Sequence, residues 1–147
     1  MGDLAAFAGL VQLDHGLVVV STARADGTIQ SSVVNAGVLD HPLTGQPAVG
    51  FVSAGSSRRL ANLRERPRTT VVIRAGWRWA GVEGPVYLAG PDDALGDIAG
   101  DRLRLLLRDI FTAAGGTHED WDEYDRVMAD ERRVAVLVTP ERSYGSG

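Results

Sequence analysis

The chain has 147 residues, a formal net charge of −4 and no cysteine. This length suits one domain, residues 1–147, and the lack of cysteine excludes disulfides, catalytic thiolates and thiolate metal sites. The acidic balance argues against general attraction to nucleic acid. No apolar run approaches the roughly 20 residues of a membrane span, and the first residues lack the basic start of a signal peptide. We therefore expect a cytoplasmic protein.

The first third of the chain alternates between strand patterns and turns. Asp3 begins a predicted helix over 4–14, which Gly16 ends. A β-branched run then predicts a strand, and the Asp-Gly pair that follows it is a strong hairpin signal. The strands predicted in this part cover 17–23, 29–39 and 47–52.

Helices are predicted between the remaining strands. Ser56 or Ser57 caps a helix that Pro67 ends, and a mostly helical stretch begins at Pro91. Within that stretch the clearest helix covers 101–114, where leucines recur on one face. Thr117–Asp120 resembles a capping box for a helix that runs to about Ala129. The strands predicted here cover 69–74, 77–89 and 133–139, and Pro140 begins a short tail.

These elements predict an α+β fold. Six strands are expected, and short turns join most of the early ones, so we expect them to pair antiparallel. A six-stranded antiparallel barrel or half-barrel, with helices at its ends, fits this order.

One cationic segment stands out. Arg58–Arg78 holds seven of the fifteen arginines and a single acid, Glu65, whereas the rest of the chain has eight arginines and eighteen acids. The segment starts with Ser56, Ser57, Arg58 and Arg59 at a predicted helix start, where free N–H groups and the helix dipole favour an anion. An ordinary capped helix with solvated arginines is the alternative. Two cations at a positive dipole end carry a local cost that a bound anion would offset.

Two further groups of side chains are candidates for a ligand site. Strand alternation puts Gln30 and Ser32 on one face, where they either face solvent or bind the edge of a heteroaromatic ring. Trp77 and Trp79 share one face of the strand predicted over 77–89, with Arg78 pointing away. The tryptophans are either core or interface residues, or a wall against a flat ligand.

Metal and nucleophilic chemistry are not expected. His15, His41 and His118 lie at no ligand spacing with one another or with a carboxylate. The sequence has no Gly-x-Ser-x-Gly elbow, P-loop or Gly-x-Gly-x-x-Gly motif. No residue is assigned a catalytic role.

The order and spacing of these motifs resemble a known family. The features that carry the resemblance are the hairpin with Gln30 and Ser32, Ser53 followed by Ser57-Arg-Arg59, Asn62-Leu-x-x-x-Pro-Arg68, Gly76-Trp77, Val82-Glu-Gly84, Asp120–Tyr124, Asp130–Val134 and Tyr144-Gly145. They are similar to the pyridoxamine-phosphate-oxidase-like split-barrel proteins. Within them they resemble the B-type branch of the actinobacterial flavin/deazaflavin oxidoreductases, which uses coenzyme F-420.

The resemblance implies an FMN-binding split barrel that forms a homodimer, with a cofactor site in each groove between subunits. The cofactor phosphate would be held around Ser53, Ser57, Arg58 and Arg59, the last standing where the family commonly has lysine. Asn62 would lie close to the phosphate. The implied cofactor-binding set is completed by Gln30 and Ser32 at the ring edge, by Trp77 and Arg78 from the partner subunit, and by Tyr144 near the groove.

The resemblance also implies an activity. The chain would be an F-420-dependent reductase that passes a hydride to an unsaturated small-molecule acceptor. Arg64, Arg66, Arg68 and Arg74 favour this cofactor, because its oligoglutamate tail is acidic. Two alternatives stay open: an FMN-dependent oxidoreductase, and a non-catalytic protein that binds or stores F-420.

Overall fold

The computed structural model describes residues 3–146. Within that range the chain forms helices on the outside of one antiparallel β structure. The helices are α1 (Ala5–Val11), α2 (Arg58–Glu65), α3 (Asp101–Ala113) and α4 (Trp121–Asp130). The strands are β1 (Leu17–Ala23), β2 (Ile29–Asp40), β3 (Pro47–Ser53), β4 (Arg68–Ala75), β5 (Arg78–Ala89), β6 (Val134–Val138) and β7 (Arg142–Gly145).

Six of the strands close into a barrel. The order is β4-β1-β2-β3-β6-β5, and β5 also pairs with β4, so each of these strands has two neighbours within the barrel. Every pairing is antiparallel. The predicted α+β fold with a six-stranded antiparallel barrel is confirmed, in its closed form.

The barrel is split because its two longest strands each serve two sheets. The first part of β2 pairs with β1, and from Ala36 onward it pairs with β3. In the same way β5 pairs with β4 up to Pro85 and with β6 from Val86 onward. The two half-sheets therefore meet along β2 and β5.

Apolar side chains form a core inside the barrel and another on its outside. Val20, Phe51 and Val82 are among the fully buried residues inside. On the outside, α3 packs Ile110 against β2, β3 and β6, and Tyr124 of α4 joins the same apolar cluster through its contact with α3. All five residues of β6 are buried because it faces both cores, and this explains its unbroken apolar sequence.

Several predicted boundaries differ from the structure. The stretch after Pro91 consists of turns up to Gly100, and α3 begins only at Asp101, because Gly96 and Gly100 adopt positive φ angles of 55° and 56°. The predicted tail contains β7, which pairs with β5 from Ala80 to Glu83. This four-residue strand is exposed throughout, so it has no alternation to reveal it.

The N-terminus of α4 lies three residues later than the sequence suggested. Asp120, not Thr117, is the cap: its side chain accepts a hydrogen bond from the Glu123 N–H at 3.2 Å. Asp122 and Glu123 in the first turn also suit the positive dipole end.

We expect Asp120→Ala to lower the free energy of unfolding by about 1 kcal/mol, because the Glu123 N–H loses its partner. Urea denaturation followed by circular dichroism measures this. Thr117→Ala is the matched control, with an expected change below about 0.5 kcal/mol. A larger loss in the Thr117 variant would contradict the observed cap.

Candidate functional site

Two serines join the end of β3 to the start of α2. Ser57 caps α2, because its Oγ accepts the Leu60 N–H at 3.2 Å. Ser53, the last residue of β3, is fully buried, and its Oγ lies 2.8 Å from the Ser57 Oγ. Of the two serines that the sequence offered as the cap, the structure selects Ser57. The hydroxyls lie beside the free N–H groups of the first turn of α2.

Arg59 donates to the hydroxyls of Ser53 and Ser32 rather than to an acid. Its Nη1 donates to Ser53 Oγ and its Nε donates to Ser32 Oγ, both at 2.8 Å. Burial, and then the nearby positive charge of Arg133, lowers the pKa of the Arg59 guanidinium. Among residues 3–146 no carboxylate pairs with this arginine. A half-buried cation with only hydroxyl partners is costly on its own and favours a bound anion.

Asn62 connects the same helix to the first hairpin. Its buried side-chain nitrogen donates to Thr22 Oγ1 at 3.1 Å and to Gln30 Oε1 at 3.0 Å. Both hydrogens of the amide are therefore used inside the protein. Because Gln30 accepts with its oxygen, its own NH₂ group is left to donate elsewhere. Asn62 thus orients Gln30.

The structure brings together six of the ten predicted cofactor-binding residues. Hydrogen bonds place them in two adjoining sets at one end of the barrel, which we call the Arg59 cluster. Its members are Gln30, Ser32, Ser53, Ser57, Arg59 and Asn62. Arg58 lies next to the cluster but is exposed, and its side chain makes no hydrogen bond within the described part of the chain.

The remaining predicted residues lie elsewhere in the same chain. Trp77 is in the β4–β5 turn, not in a strand, and is 97% exposed, so it does not share a strand face with Trp79. Arg78 pairs with Ala75 at the end of β4 away from α2. Tyr144, on β7, packs against Gly81 and donates to Glu83 at 3.2 Å. A role for these residues in a partner's site stays a prediction.

Arginines flanking the Arg59 cluster are engaged within the chain. Arg64 forms an ion pair with Asp93 at 2.7 Å, and Arg68 forms one with Glu141 at 2.7 Å. Arg66 and Arg74 donate to backbone carbonyls. An acidic cofactor tail would therefore compete with existing partners at these arginines.

A groove of about 450 Å³ lies between the outer faces of β2 and β3 and the helices α3 and α4. We call it the aromatic groove. Its apolar lining comprises Val52, Ile110, Phe111, Ala114, Tyr124 and Met128. His15, Asn35 and Arg133 add polar groups, and the backbone at Gly115 and Gly116 completes the lining.

Sequence reasoning missed the aromatic groove. Its walls come from elements far apart in the chain, and α3 and α4 carry no motif that marks a ligand site. Arg133 directly precedes β6, whose first residue, Val134, pairs with Ser53. This pairing joins residues far apart in the chain, so no local sequence signal placed Arg133 near the candidate site.

Other kinds of site find no support in residues 3–146. No group of three or more His, Cys, Asp or Glu side chains there is arranged to hold a metal ion. None of the helices in that range has the length and apolar character needed to cross a membrane.

Comparison with known proteins supports the fold. No family model matches the sequence. Among solved structures, a conserved hypothetical protein of Mycobacterium tuberculosis matches 99% of this chain and 84% of its own, with a TM-score of 0.70 and 17% identity. A pyridoxamine 5′-phosphate oxidase-related, FMN-binding protein of Nostoc punctiforme covers 97% of this chain and 79% of its own, with a TM-score of 0.61 and 13% identity. The fold is a split β-barrel.

The same fold occurs in proteins with different descriptions. An F420 reductase matches 92% of this chain and 94% of its own, with a TM-score of 0.58 and 18% identity. Heme-binding proteins are also among the matches. At these identities the likeness establishes the shared fold.

Proposed function

We propose that this chain is an oxidoreductase that binds coenzyme F-420 and transfers a hydride to an unsaturated small molecule. The observation that carries the proposal is Arg59, a half-buried cation with hydroxyl partners and no carboxylate. A phosphate would supply the missing negative charge and would find donors in the Ser57 hydroxyl and the first turn of α2.

The residues of the Arg59 cluster fit a phosphate-bearing flavin-type group. Arg59 would hold the phosphate, and its Nη2 makes no hydrogen bond within residues 3–146, so a donor is available. Gln30, fixed by Asn62, presents an amide donor suited to a ring carbonyl. When bound, the deazaflavin supplies hydride chemistry, and the chain supplies orientation and charge.

FMN is the second candidate cofactor. Arg64 and Arg68 already form ion pairs with acids of this chain. This favours FMN, because FMN carries a single phosphate and has no acidic tail that would need these arginines. A protein that binds F-420 without turnover is the third reading, since no general acid has been assigned. Tyr144 is not poised for that role: burial and its hydrogen bond to Glu83 raise its pKa.

Parallel titration of the purified protein with F-420, FMN and heme tests the proposal. We expect F-420 to bind most tightly, with absorbance near 420 nm for bound deazaflavin against about 450 nm for FMN. Tight FMN binding with weak F-420 binding would move the assignment to the second candidate. Preference for heme would overturn both. Failure to reoxidise reduced F-420 with a panel of unsaturated acceptors would support the third candidate, a protein that binds or stores F-420 without turnover.

The proposed function includes a homodimer. An apolar stripe crosses the outer face of β1, β2 and β4, where Val33 lies opposite Val19, and Val19 lies opposite Val72. Val33 is 62% exposed and Val19 is 41% exposed. Such a stripe on one continuous sheet suits burial against a second copy.

We expect Val33→Glu to shift the protein from dimer to monomer, because two carboxylates would be brought into an apolar contact. Light scattering after size-exclusion chromatography measures the mass. Leu13→Glu, at an exposed apolar residue outside the stripe, is the control and should stay dimeric. A wild-type protein that is already monomeric would contradict the dimer.

A further inference from the structure

The aromatic groove combines apolar walls with one guanidinium. Phe111 and Tyr124 have ring centroids 5.0 Å apart, and Trp121 contacts both from behind. The Tyr124 hydroxyl donates to the Leu107 carbonyl at 3.1 Å. These contacts fix the rings. Arg133 is the one arginine among the residues that line the groove, and none of them is acidic.

The groove and the Arg59 cluster lie on opposite faces of the same strand. Val52 lines the groove, and Ser53, the next residue of β3, accepts from Arg59. Successive residues of a strand point to opposite faces, so the two places are separate. Arg133 is near both, since it precedes Val134 and Val134 pairs with Ser53. An occupant of the groove would therefore be a molecule other than the one whose phosphate Arg59 holds.

The guanidinium of Arg133 retains N–H donors that are not hydrogen-bonded within the described residues. Its Nε donates to Glu131 at 2.7 Å, and its Nη2 lies 2.6 Å from the same carboxylate oxygen. Within the described residues its Nη1 has no partner. A planar guanidinium can bind a second anion along its free edge.

We propose that the aromatic groove is a second ligand site, for a flat, largely apolar molecule with one anionic group held by Arg133. The flat shape follows from the fixed aromatic wall and from the glycine backbone at Gly115 and Gly116, which adds no side chain to the space. The single anionic group follows from the one guanidinium nitrogen of Arg133, Nη1, that Glu131 leaves unpartnered, in a lining without acids.

A matched pair of probes tests the site without a cofactor. 1-Anilinonaphthalene-8-sulfonate is flat and carries one negative charge, and N-phenyl-1-naphthylamine is its neutral counterpart. Fluorescence titrations should show tighter binding of the anionic probe by wild type. Arg133→Gln should weaken the anionic probe about tenfold and leave the neutral probe unchanged within about twofold. Arg126→Gln, at an exposed arginine of α4, should change neither.

The other outcomes overturn the proposal. Equal binding of the two probes, or equal loss of both in the Arg133 variant, removes the anion-binding role. Retained binding of the neutral probe reports that the Arg133 variant is folded. Equilibrium dialysis with saturating F-420 or FMN should leave anionic-probe binding unchanged, and displacement would mean that the cofactor itself fills the groove. If neither cofactor binds yet the probe pattern holds, the groove site stands and the proposed function falls.

Discussion

Arg59→Ala is expected to weaken F-420 binding by about 1.5–3 kcal/mol, which is roughly 10- to 100-fold in the dissociation constant. The reason is that Arg59 is the half-buried cation of the cluster, with its charge uncompensated by any acid within residues 3–146. Titration of wild type and variant under the same salt conditions measures the change. FMN should weaken in parallel, since both cofactors carry a phosphate.

Two comparisons separate binding from folding. Arg126→Ala removes an exposed arginine of α4 and should leave both dissociation constants unchanged. Arg59→Met keeps much of the alkyl chain but removes the charge, and the ligand-free variant should be at least as stable as wild type, because an uncompensated buried charge is gone. An unchanged F-420 dissociation constant in Arg59→Ala would rule out Arg59 as the phosphate ligand.

Phe51→Ala should lower the free energy of unfolding by about 3–5 kcal/mol. Phe51 is fully buried in the centre of β3, between Ala36 on β2 and Val136 on β6. Removing the ring leaves a cavity at the place where the two half-sheets join. Urea denaturation at one fixed protein concentration measures the loss, since association also contributes to stability.

Leu13→Ala is the control for this experiment. Leu13 is 57% exposed and lies after α1, so its truncation should change the unfolding free energy by less than about 0.5 kcal/mol. A Phe51→Ala loss below about 1.5 kcal/mol would show that the barrel interior is not packed around this ring.

The sequence predicted the fold correctly wherever a strand or turn is marked by its own local residue pattern. The β-branched run at β1 and the Asp-Gly turn after it predicted the first hairpin, and β1 has the predicted bounds. The buried run of β6 was equally clear. The strand β7 was not, because four exposed residues gain their structure only from the edge of β5. The helical stretch predicted from Pro91 is wrong up to Gly100, because the composition permits a helix there but Gly96 and Gly100 interrupt it.

The site was predictable where it is built from neighbouring segments. Ser53, Ser57, Arg59 and Asn62 lie within ten residues, so the end of a strand and the start of a helix define them together. Alternation predicted that Gln30 and Ser32 share one strand face, and in the structure this face meets α2. The aromatic groove depends on the docking of α3 on β2 and β3 and on the packing of α4 beside α3, and no local pattern encodes such docking. Arg133 was missed for the same reason.

The position of β6 in the chain has a consequence for synthesis. Hairpins β1–β2–β3 and β4–β5 join strands that are close in sequence, so they can form early. Until Val134–Val138 has left the ribosome, however, β3 and the second half of β5 lack β6, the strand that pairs with both of them. The nascent chain thus exposes two open strand edges to other chains, and the arrival of one short apolar strand removes both at once.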